Sequence, residues 1–273
     1  MKKRYSHMHK AFRFTHLSDE GIVRQTADLI MEAPIEIDIE GHGQVFVMFT
    51  PVLARELVTG FLFTEGMIET PADIEACHIS REAGLEGEEI VKARVTLSRD
   101  LPAPAERPEK RISYSSCGIC GKDNYEDLSR GMGRVKSRHR FSLEALKAFL
   151  PMMKQFQPLY RRTGGAHAAI LLDDKADVIL HCEDLGRHNA LDKLIGCTLI
   201  NGISLEDKVL ISSGRASLEM ILKSARAGIP VFVAMSRPTS RAVEAARFYN
   251  ITLMDMAKGS HRIYTHARRI ESS

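Results

Sequence analysis

The sequence contains no tryptophan, only 6% aromatic residues and no polar low-complexity tract. It also lacks any run of about 18 consecutive apolar residues, which a membrane-spanning helix needs, and no apolar run follows the basic residues 1–14. These absences predict a chain without a signal peptide or a membrane span. With 44% hydrophobic and 27% charged residues, the composition is typical of a folded globular protein rather than a disordered one.

The cysteines are few and odd in number, five in 273 residues. In a chain of this size they argue against a disulfide framework and for reduced thiols in the cytoplasm. Cysteine chemistry, where present, is therefore expected to be catalytic or metal-binding. The formal net charge of +3 is too small to predict a nucleic-acid or membrane partner.

The first half of the chain reads as an α+β unit followed by a linker. Residues 1–105 are predicted to form an N-terminal α+β domain with a helix that begins at Thr50, because a hydroxyl side chain before Pro51 is a typical helix start. Residues 106–141 are predicted to be a linker and a mobile cysteine-containing loop, since residues 101–111 carry three prolines and five charges.

Residues 142–273 alternate predicted strands and helices. This order predicts a C-terminal α/β domain with a mostly parallel sheet covered by helices on both faces. The strands at 167–172 and 177–181 are expected to form a hairpin. Ligands bind such sheets at the carboxyl ends of strands, and four loops are predicted there: 181–189, 213–216, 236–239 and 256–261.

The stretch SSCGICG, residues 115–121, places Cys117 and Cys120 in CxxC spacing on a glycine-rich loop. One interpretation is half of a structural zinc site, but the sequence has no second CxxC. Other candidate ligands are scattered: Cys77, His181, Cys182 and Cys197. A thioredoxin-like exchanger is disfavoured because no proline separates the cysteines and no tryptophan flanks them. A mobile nucleophilic thiol pair is the remaining interpretation, with Arg111 and Lys122 favouring the thiolate.

Residues 181–189, HCEDLGRHN, form a second polar cluster. One interpretation is a solvated turn in which Glu183 and Asp184 pair with Arg187. The alternative is a ligand-facing loop, because the cluster follows a predicted strand at the carboxyl edge. His181 and Glu183 also have the His-x-Glu order of zinc deaminases, whose P-C-x-x-C comes after that motif. Here the CxxC comes first, so deaminase chemistry is disfavoured.

Two further stretches are weaker signals. In TGGAH, residues 163–167, a glycine turn leads into a strand, and His167 is more simply a packing residue than a functional one. In SSGRAS, residues 212–217, a strand meets a helix, where free amides and Arg215 favour an anion. This junction lacks the lysine of a Walker loop.

Five stretches in this order resemble the formate dehydrogenase accessory sulfurtransferase family (FdhD-type) over about residues 30–265: TPVLARELVTGFLFTEGMI, SSCGICG, TGGAHAA, EDLGRHNALDK and SSGRASLEM. The resemblance implies a sulfur carrier that receives persulfide sulfur from a cysteine desulfurase. The sulfur then passes to the molybdenum or tungsten of the bis-molybdopterin guanine dinucleotide cofactor destined for formate dehydrogenase. It also implies a cytidine-deaminase-like C-terminal domain, no resident metal or permanently bound cofactor and, by analogy, a homodimer.

The same resemblance assigns roles to individual residues. Cys117 matches the persulfide-bearing position and Cys120 its partner thiol. The cofactor-binding segment corresponds to Met256, Ala257, Lys258, Gly259, Ser260 and His261. Lys258 stands where an arginine is more frequent, which keeps the charge and loses bidentate phosphate contact. Further candidates for the cofactor cleft are Arg215, His188, Asn189 and His167. The alternative functions are a cofactor-binding chaperone and a zinc-dependent deaminase-like hydrolase.

Overall fold

The computed structural model describes residues 4–19, 21–84, 89–98, 110–112, 132–259 and 261–271. Within these ranges the strands are β1 (His9–Ser18), β2 (Gly21–Ile30), β3 (Ala33–Ile39), β4 (Gly43–Phe49), β5 (Ile74–Ala83), β6 (Glu89–Leu97), β7 (Lys110–Ile112), β8 (Phe141–Ser142), β9 (His167–Leu172), β10 (Val178–Asp184), β11 (Val209–Arg215), β12 (Val231–Ser236), β13 (Thr252–Asp255), β14 (Arg262–Ile263) and β15 (Ile270–Glu271). The helices are α1 (Ala54–Thr64), α2 (Leu143–Phe149), α3 (Pro158–Thr163), α4 (Arg187–Ile200), α5 (Leu218–Arg226) and α6 (Ser240–Phe248).

The N-terminal half contains a five-stranded sheet in the order β5-β6-β3-β4-β7. Along β3, Ile35, Ile37 and Ile39 are buried while the residues between them are half-buried, the alternation of a sheet with one face on a core. The isoleucines share their core with Leu57 and Leu62 of α1. Strand β7, which pairs with β4 in parallel, shows that the range predicted as a linker contributes a strand to this sheet.

The predicted start of α1 is wrong by three residues, since the cap is Leu53 and not Thr50. The helix begins at Ala54, after Leu53 in left-handed conformation with φ 58°. The hydroxyl oxygen of Thr50 accepts a hydrogen bond from the amide of Leu185 (3.1 Å), and the Thr50 amide donates to Oδ2 of Asp184 (3.1 Å). Because its hydroxyl oxygen is used in this way, Thr50 ties the N-terminal half to β10 instead of capping the helix.

The larger sheet has six strands in the order β10-β9-β11-β12-β13-β14. The pairs β11–β12 and β12–β13 are parallel, whereas β10–β9, β9–β11 and β13–β14 are antiparallel. The prediction of a mostly parallel sheet is therefore corrected to a mixed sheet. The predicted hairpin of β9 and β10 is confirmed, and it inserts β9 in reverse. Strands β10, β11, β12 and β13 still run in one direction, so their carboxyl ends share one edge.

Helices cover both faces of this sheet, as predicted. Leu210 and Phe232 belong to the core beneath α4, α5 and α6, while Ile211 and Val233 pack on the other face with residues of α2. Adjacent residues of one strand thus enter two different cores, which explains the continuous apolar runs in the sequence. No helix in the described ranges is long and apolar enough to cross a membrane.

Helix α1 packs against α4 through two glycines. A Cβ atom on Gly60 would lie 1.8 Å from the carbonyl oxygen of Asp192, and one on Gly196 would lie 1.8 Å from that of Glu56. Neither position tolerates a side chain without movement of the backbone. The two glycines therefore set the distance between the N-terminal half and the larger sheet.

We expect Gly60→Ala to lower the free energy of unfolding by up to about 2 kcal/mol. Separating the helices costs roughly 1–3 kcal/mol of packing, and the alanine returns only about 1 kcal/mol of helix propensity. Urea denaturation measures the difference. The control is Gly133→Ala, since a Cβ atom on Gly133 meets no atom within 4 Å. Equal losses in the two variants would contradict the close contact.

Candidate functional site

Cys117, Cys120 and Ser260 lie outside the described residues, as does the side chain of Lys258. The remaining candidates are described. Strands β10, β11, β12 and β13 of the six-stranded sheet all end on the same side of the sheet. We call this side the carboxyl edge and describe the candidates relative to it.

Strand register brings most of the described candidates to the carboxyl edge. Asp184 at the end of β10 pairs with His167 at the start of β9. Arg215 at the end of β11 pairs with Ser236 at the end of β12. The segment 256–261 follows β13 directly. The predicted edge loops thus meet along one side of the sheet, although they come from four separate parts of the chain.

His167 is held by a serine that the sequence analysis did not single out. Its Nδ1 lies 3.2 Å from the hydroxyl oxygen of Ser213, which also accepts a hydrogen bond from the amide of Ala168 (2.8 Å). A serine hydroxyl can donate to Nδ1 or accept from it, and the contact orients the ring in either tautomer. Burial, together with the charge of Arg187, lowers the pKa of His167. The ring is therefore neutral and oriented at neutral pH.

Arg187 is the second residue that the sequence analysis missed as a candidate for the edge. A Cβ atom on Gly214 would lie 3.1 Å from Cδ of Arg187 and 3.6 Å from Nδ1 of His167. Glycine at 214 thus makes room for the Arg187 side chain. The buried Nε of Arg187 has no hydrogen-bond partner among the described residues. The only sequence signal for this contact was the glycine of SSGRAS, which does not reveal what it accommodates.

The solvated interpretation of Glu183 and Asp184 is wrong, because both side chains are fully buried. Glu183 accepts hydrogen bonds from the amides of Leu159 (2.9 Å) and Tyr160 (2.8 Å). Burial raises the pKa of Glu183 to about 7, and the two amide bonds oppose this shift. The carboxylate therefore anchors the first turn of α3 and does not pair with Arg187.

Asp184 is the centre of a buried polar cluster that joins the two halves of the chain. Its Oδ2 accepts from Nζ of Lys193, which also donates to the carbonyl oxygen of Thr50 (2.9 Å). Its Oδ1 accepts from Nδ2 of Asn189 (3.0 Å), which donates as well to the carbonyl oxygen of Met48 (2.8 Å). The predicted cofactor candidate Asn189 is thus occupied with holding β4 against α4.

His188 lies behind the edge rather than on it. Its ring is buried, with Nε2 3.2 Å from Oε2 of Glu219 and 3.4 Å from the hydroxyl oxygen of Ser217. Both partners belong to the start of α5. His188 therefore connects the N-terminal ends of α4 and α5, whereas Arg215 is exposed at the end of β11.

The segment 256–261 is attached at both ends to one buried carboxylate. Asp255 accepts hydrogen bonds from the amide of Ala257 (3.4 Å), from the hydroxyl of Tyr264 and from the guanidinium of Arg262 (3.5 Å). The buried Met256 donates its amide proton to the carbonyl oxygen of Ala234 on β12 (3.0 Å). The described residues at the two ends of the predicted cofactor segment are therefore held by the sheet and by Asp255.

The three described cysteines are buried within the fold. The sulfur atoms of Cys182 and Cys197 lie 3.9 Å apart, and burial raises the pKa of Cys77. Among the described residues, no three His, Cys, Asp or Glu side chains are grouped so that they could hold a metal ion.

Known proteins resemble the chain over nearly its whole length. The sulfur carrier protein FdhD of Thermoplasma acidophilum is 34% identical over 262 residues, which cover 94% of this chain and 91% of that protein. The sulfur carrier protein FdhD of Bacillus subtilis is 34% identical over 256 residues, covering 92% and 94%.

A solved structure shares the fold. The crystal structure of a formate dehydrogenase accessory protein from Desulfotalea psychrophila superposes with a TM-score of 0.73 at 20% identity and covers 97% of this chain and all of that one. The family model of the FdhD/NarQ family matches residues 30–271. That range includes the cysteine pair, every candidate of the carboxyl edge and the segment after β13. The chain therefore belongs to the FdhD/NarQ family.

Proposed function

We propose that this chain is a sulfur carrier, a sulfurtransferase that serves the maturation of formate dehydrogenase. The observation that carries the proposal is the pair Cys117 and Cys120 in a chain whose near full-length relatives are named sulfur carrier proteins. The larger sheet, with a polar carboxyl edge next to oriented basic side chains, supports it as a place for a large anionic cargo.

Loading of the carrier is a thiol exchange. The thiolate of Cys117 attacks the outer sulfur of a persulfide on a cysteine desulfurase. A new sulfur–sulfur bond forms on Cys117, the bond within the donor persulfide breaks, and the donor cysteine leaves as a thiolate. Arg111 and Lys122 lie close in sequence to Cys117 and favour its thiolate form.

Delivery follows when the outer sulfur leaves Cys117. If the thiolate of Cys120 attacks the inner sulfur, a disulfide forms between Cys117 and Cys120 and the outer sulfur leaves as hydrosulfide. Hydrosulfide is a ligand for the molybdenum or tungsten of the bis-molybdopterin guanine dinucleotide cofactor, the cargo in this proposal. A thiol reductant then restores both cysteines. In the alternative route Cys120 only tunes the reactivity of Cys117.

The carboxyl edge is the proposed place of this cargo. Arg187 and Arg215 bring two guanidinium groups to the edge, and guanidinium groups bind phosphate oxygens well. His167 presents its imidazole ring, and residues 256–261 supply backbone amides and a basic side chain. Asp255 holds that segment in place.

The proposal also covers the fold of the larger domain, the location of the protein, its oligomeric state and its partners. The larger domain is taken to be cytidine-deaminase-like, the protein cytoplasmic, and the functional unit a homodimer. A cysteine desulfurase is the donor and formate dehydrogenase the recipient of the sulfurated cofactor.

Persulfide mapping tests the function. The full chain is incubated with a cysteine desulfurase and cysteine, digested without reductant and analysed by mass spectrometry. We expect the Cys117 peptide to gain the mass of one sulfur atom, and we expect no gain on the buried Cys77. Cys120→Ala should retain the added sulfur, whereas Cys117→Ala should gain none. A wild-type chain that never acquires the added mass would refute the proposal.

A further inference from the structure

One face of the larger domain carries a group of exposed basic side chains. Its frame is the segment 132–140, which precedes β8 and lies along the C-terminal end of α6. The amide of Val135 donates to the carbonyl oxygen of Tyr249 (3.0 Å), and Nδ2 of Asn250 donates to the carbonyl oxygen of Val135 (2.7 Å). These two hydrogen bonds hold the segment beside the residues that follow α6.

The C-terminal part of the chain joins the same face. The guanidinium of Arg268 donates to Oδ1 of Asn250 (3.0 Å), and Nε2 of His266 lies 3.0 Å from the carbonyl oxygen of Arg247. In the segment itself, the residues on either side of the buried Val135 are exposed. Five exposed basic side chains are thus gathered here, which we call the basic surface: Arg134, Lys136, Arg138, Arg247 and Arg268.

The basic surface is not neutralised within the described part of the chain. None of its five side chains forms an ion pair with a described carboxylate, whereas near it Arg140 pairs with Glu271 (3.4 Å) and Arg241 with Glu244 (3.8 Å). The formal net charge of the whole chain is only +3, which is less than the charge of this one face. Like charges held side by side repel one another, and an anionic partner relieves that repulsion.

An open apolar pocket borders the basic surface. It has a volume of about 490 Å³. Its apolar lining residues are Met132, Leu218, Ala245, Phe248 and Tyr249. Phe248 is 64% exposed and follows Arg247 directly at the end of α6. The pocket and the basic side chains therefore form one continuous surface.

We propose that this surface docks an acidic segment of a partner protein, which places an apolar side chain in the pocket and carboxylates on the basic side chains. The unpaired positive charges favour an anion, and the pocket favours an aliphatic or aromatic group next to it. A nucleic acid fits less well, because Glu206 lines a small cavity together with Arg134 and Lys136 and would repel a continuous row of phosphates. A peptide can leave that position uncharged.

The basic surface is near the cysteine pair in sequence. Met132 follows Cys120 by twelve positions, and twelve residues span at most about 43 Å. A protein docked on the basic surface is therefore held within reach of the cysteines. The inference adds a docking surface to the proposed function and does not require sulfur transfer, so each can fail without the other.

Fluorescence anisotropy of the full chain with a labelled peptide of sequence EEELEEE tests the charges at low ionic strength. We expect the double variant R134E/K136E to raise the peptide dissociation constant at least about tenfold, because two attractive contacts become repulsive. The matched control is R24E/R94E, which changes the net charge equally at two exposed arginines on β2 and β6. Its dissociation constant should stay within about twofold of the wild-type value.

A double-mutant cycle between peptide and protein tests the apolar pocket. The peptide EEEAEEE, with alanine in place of leucine, should bind the wild type about tenfold more weakly because it buries less apolar surface. Phe248→Ala should weaken binding of the leucine peptide to a similar extent. It should change binding of the alanine peptide by less than about twofold, since the contact it removes is already absent there.

The pattern of losses decides the proposal. A loss in R134E/K136E but not in R24E/R94E, together with coupling between the leucine and Phe248, would support it. Absence of peptide binding, equal losses in the two double variants, or additive losses for the leucine and Phe248 would each overturn it. Tighter binding of a single-stranded thymidine oligonucleotide, with the same sensitivity to R134E/K136E, would also overturn it and assign the surface to nucleic acid.

Discussion

Formate dehydrogenase matured with Cys117→Ala as the only sulfur carrier should show at least about a 1,000-fold loss of formate-dependent dye reduction. Removal of a covalent nucleophile costs several orders of magnitude, because no other group forms the intermediate. The described cysteines do not replace it: Cys77, Cys182 and Cys197 are buried in the fold. The measurement compares activity after maturation with the wild type, with the variant and with no carrier.

Cys120→Ala separates the two delivery routes in the same assay. If Cys120 expels the outer sulfur as hydrosulfide, the variant loads sulfur normally and fails in delivery, so its activity falls nearly as far as that of Cys117→Ala. If Cys120 only tunes Cys117, we expect a reduction of about tenfold. Cys77→Ala is the control and should retain wild-type maturation. Full maturation with Cys117→Ala would favour the cofactor chaperone over the sulfur carrier.

Lys223→Met should lower the free energy of unfolding by about 3 to 5 kcal/mol. Nζ of Lys223 lies 2.8 Å from Oδ2 of Asp192 and 2.9 Å from the hydroxyl oxygen of Thr64, and all three side chains are buried. Although burial lowers the pKa of Lys223, the carboxylates of Asp192 and Glu65 raise it above its usual range. The variant leaves Asp192 without its cation between α1, α4 and α5, which is costlier than the loss of one hydrogen bond.

Urea denaturation at neutral pH, read by far-UV circular dichroism, measures this loss. Lys92→Met is the matched control, because Lys92 pairs with Glu82 at the exposed surface, where water screens the two charges. The double variant Lys223→Met/Asp192→Leu should recover much of the loss, since replacing both buried charges with apolar groups is close to neutral. Similar losses for Lys223→Met and Lys92→Met would contradict a buried ion pair.

Several features of the fold could be predicted because their signals are local. The hairpin of β9 and β10, predicted from two apolar strands, forms as expected. Helix α2 begins after Ser142, because that hydroxyl caps its first turn. In the structure the Ser142 hydroxyl accepts a hydrogen bond from the amide of Ala145 (3.2 Å). The same kind of signal was misleading at Thr50. Its backbone amide donates to Asp184, which lies 134 positions away in the chain.

The carboxyl edge was predictable as a place and not as a set of contacts. Strand order within β-α-β units indicates which loops share an edge, and register confirms this for His167, Arg215 and the segment after β13. Which polar side chains remain available there depends on distant packing. The side chains of Asn189 and Asp184 are already hydrogen-bonded to β4 and Lys193. Arg187 packs closely over Gly214.

The sequence by itself determined the alternation of strands and helices, the CxxC pair at Cys117 and Cys120, and the resemblance that the family match confirms, since each depends on residue types at short spacing. Only the tertiary structure decided that β9 runs in reverse, that Glu183 and Asp184 are buried, and that Gly60 and Gly196 bring two helices into backbone contact. The physical reason is that burial and pairing depend on residues that are far apart in the chain. The sequence does not distinguish a carboxylate that is solvated by water from one that is paired with a buried lysine.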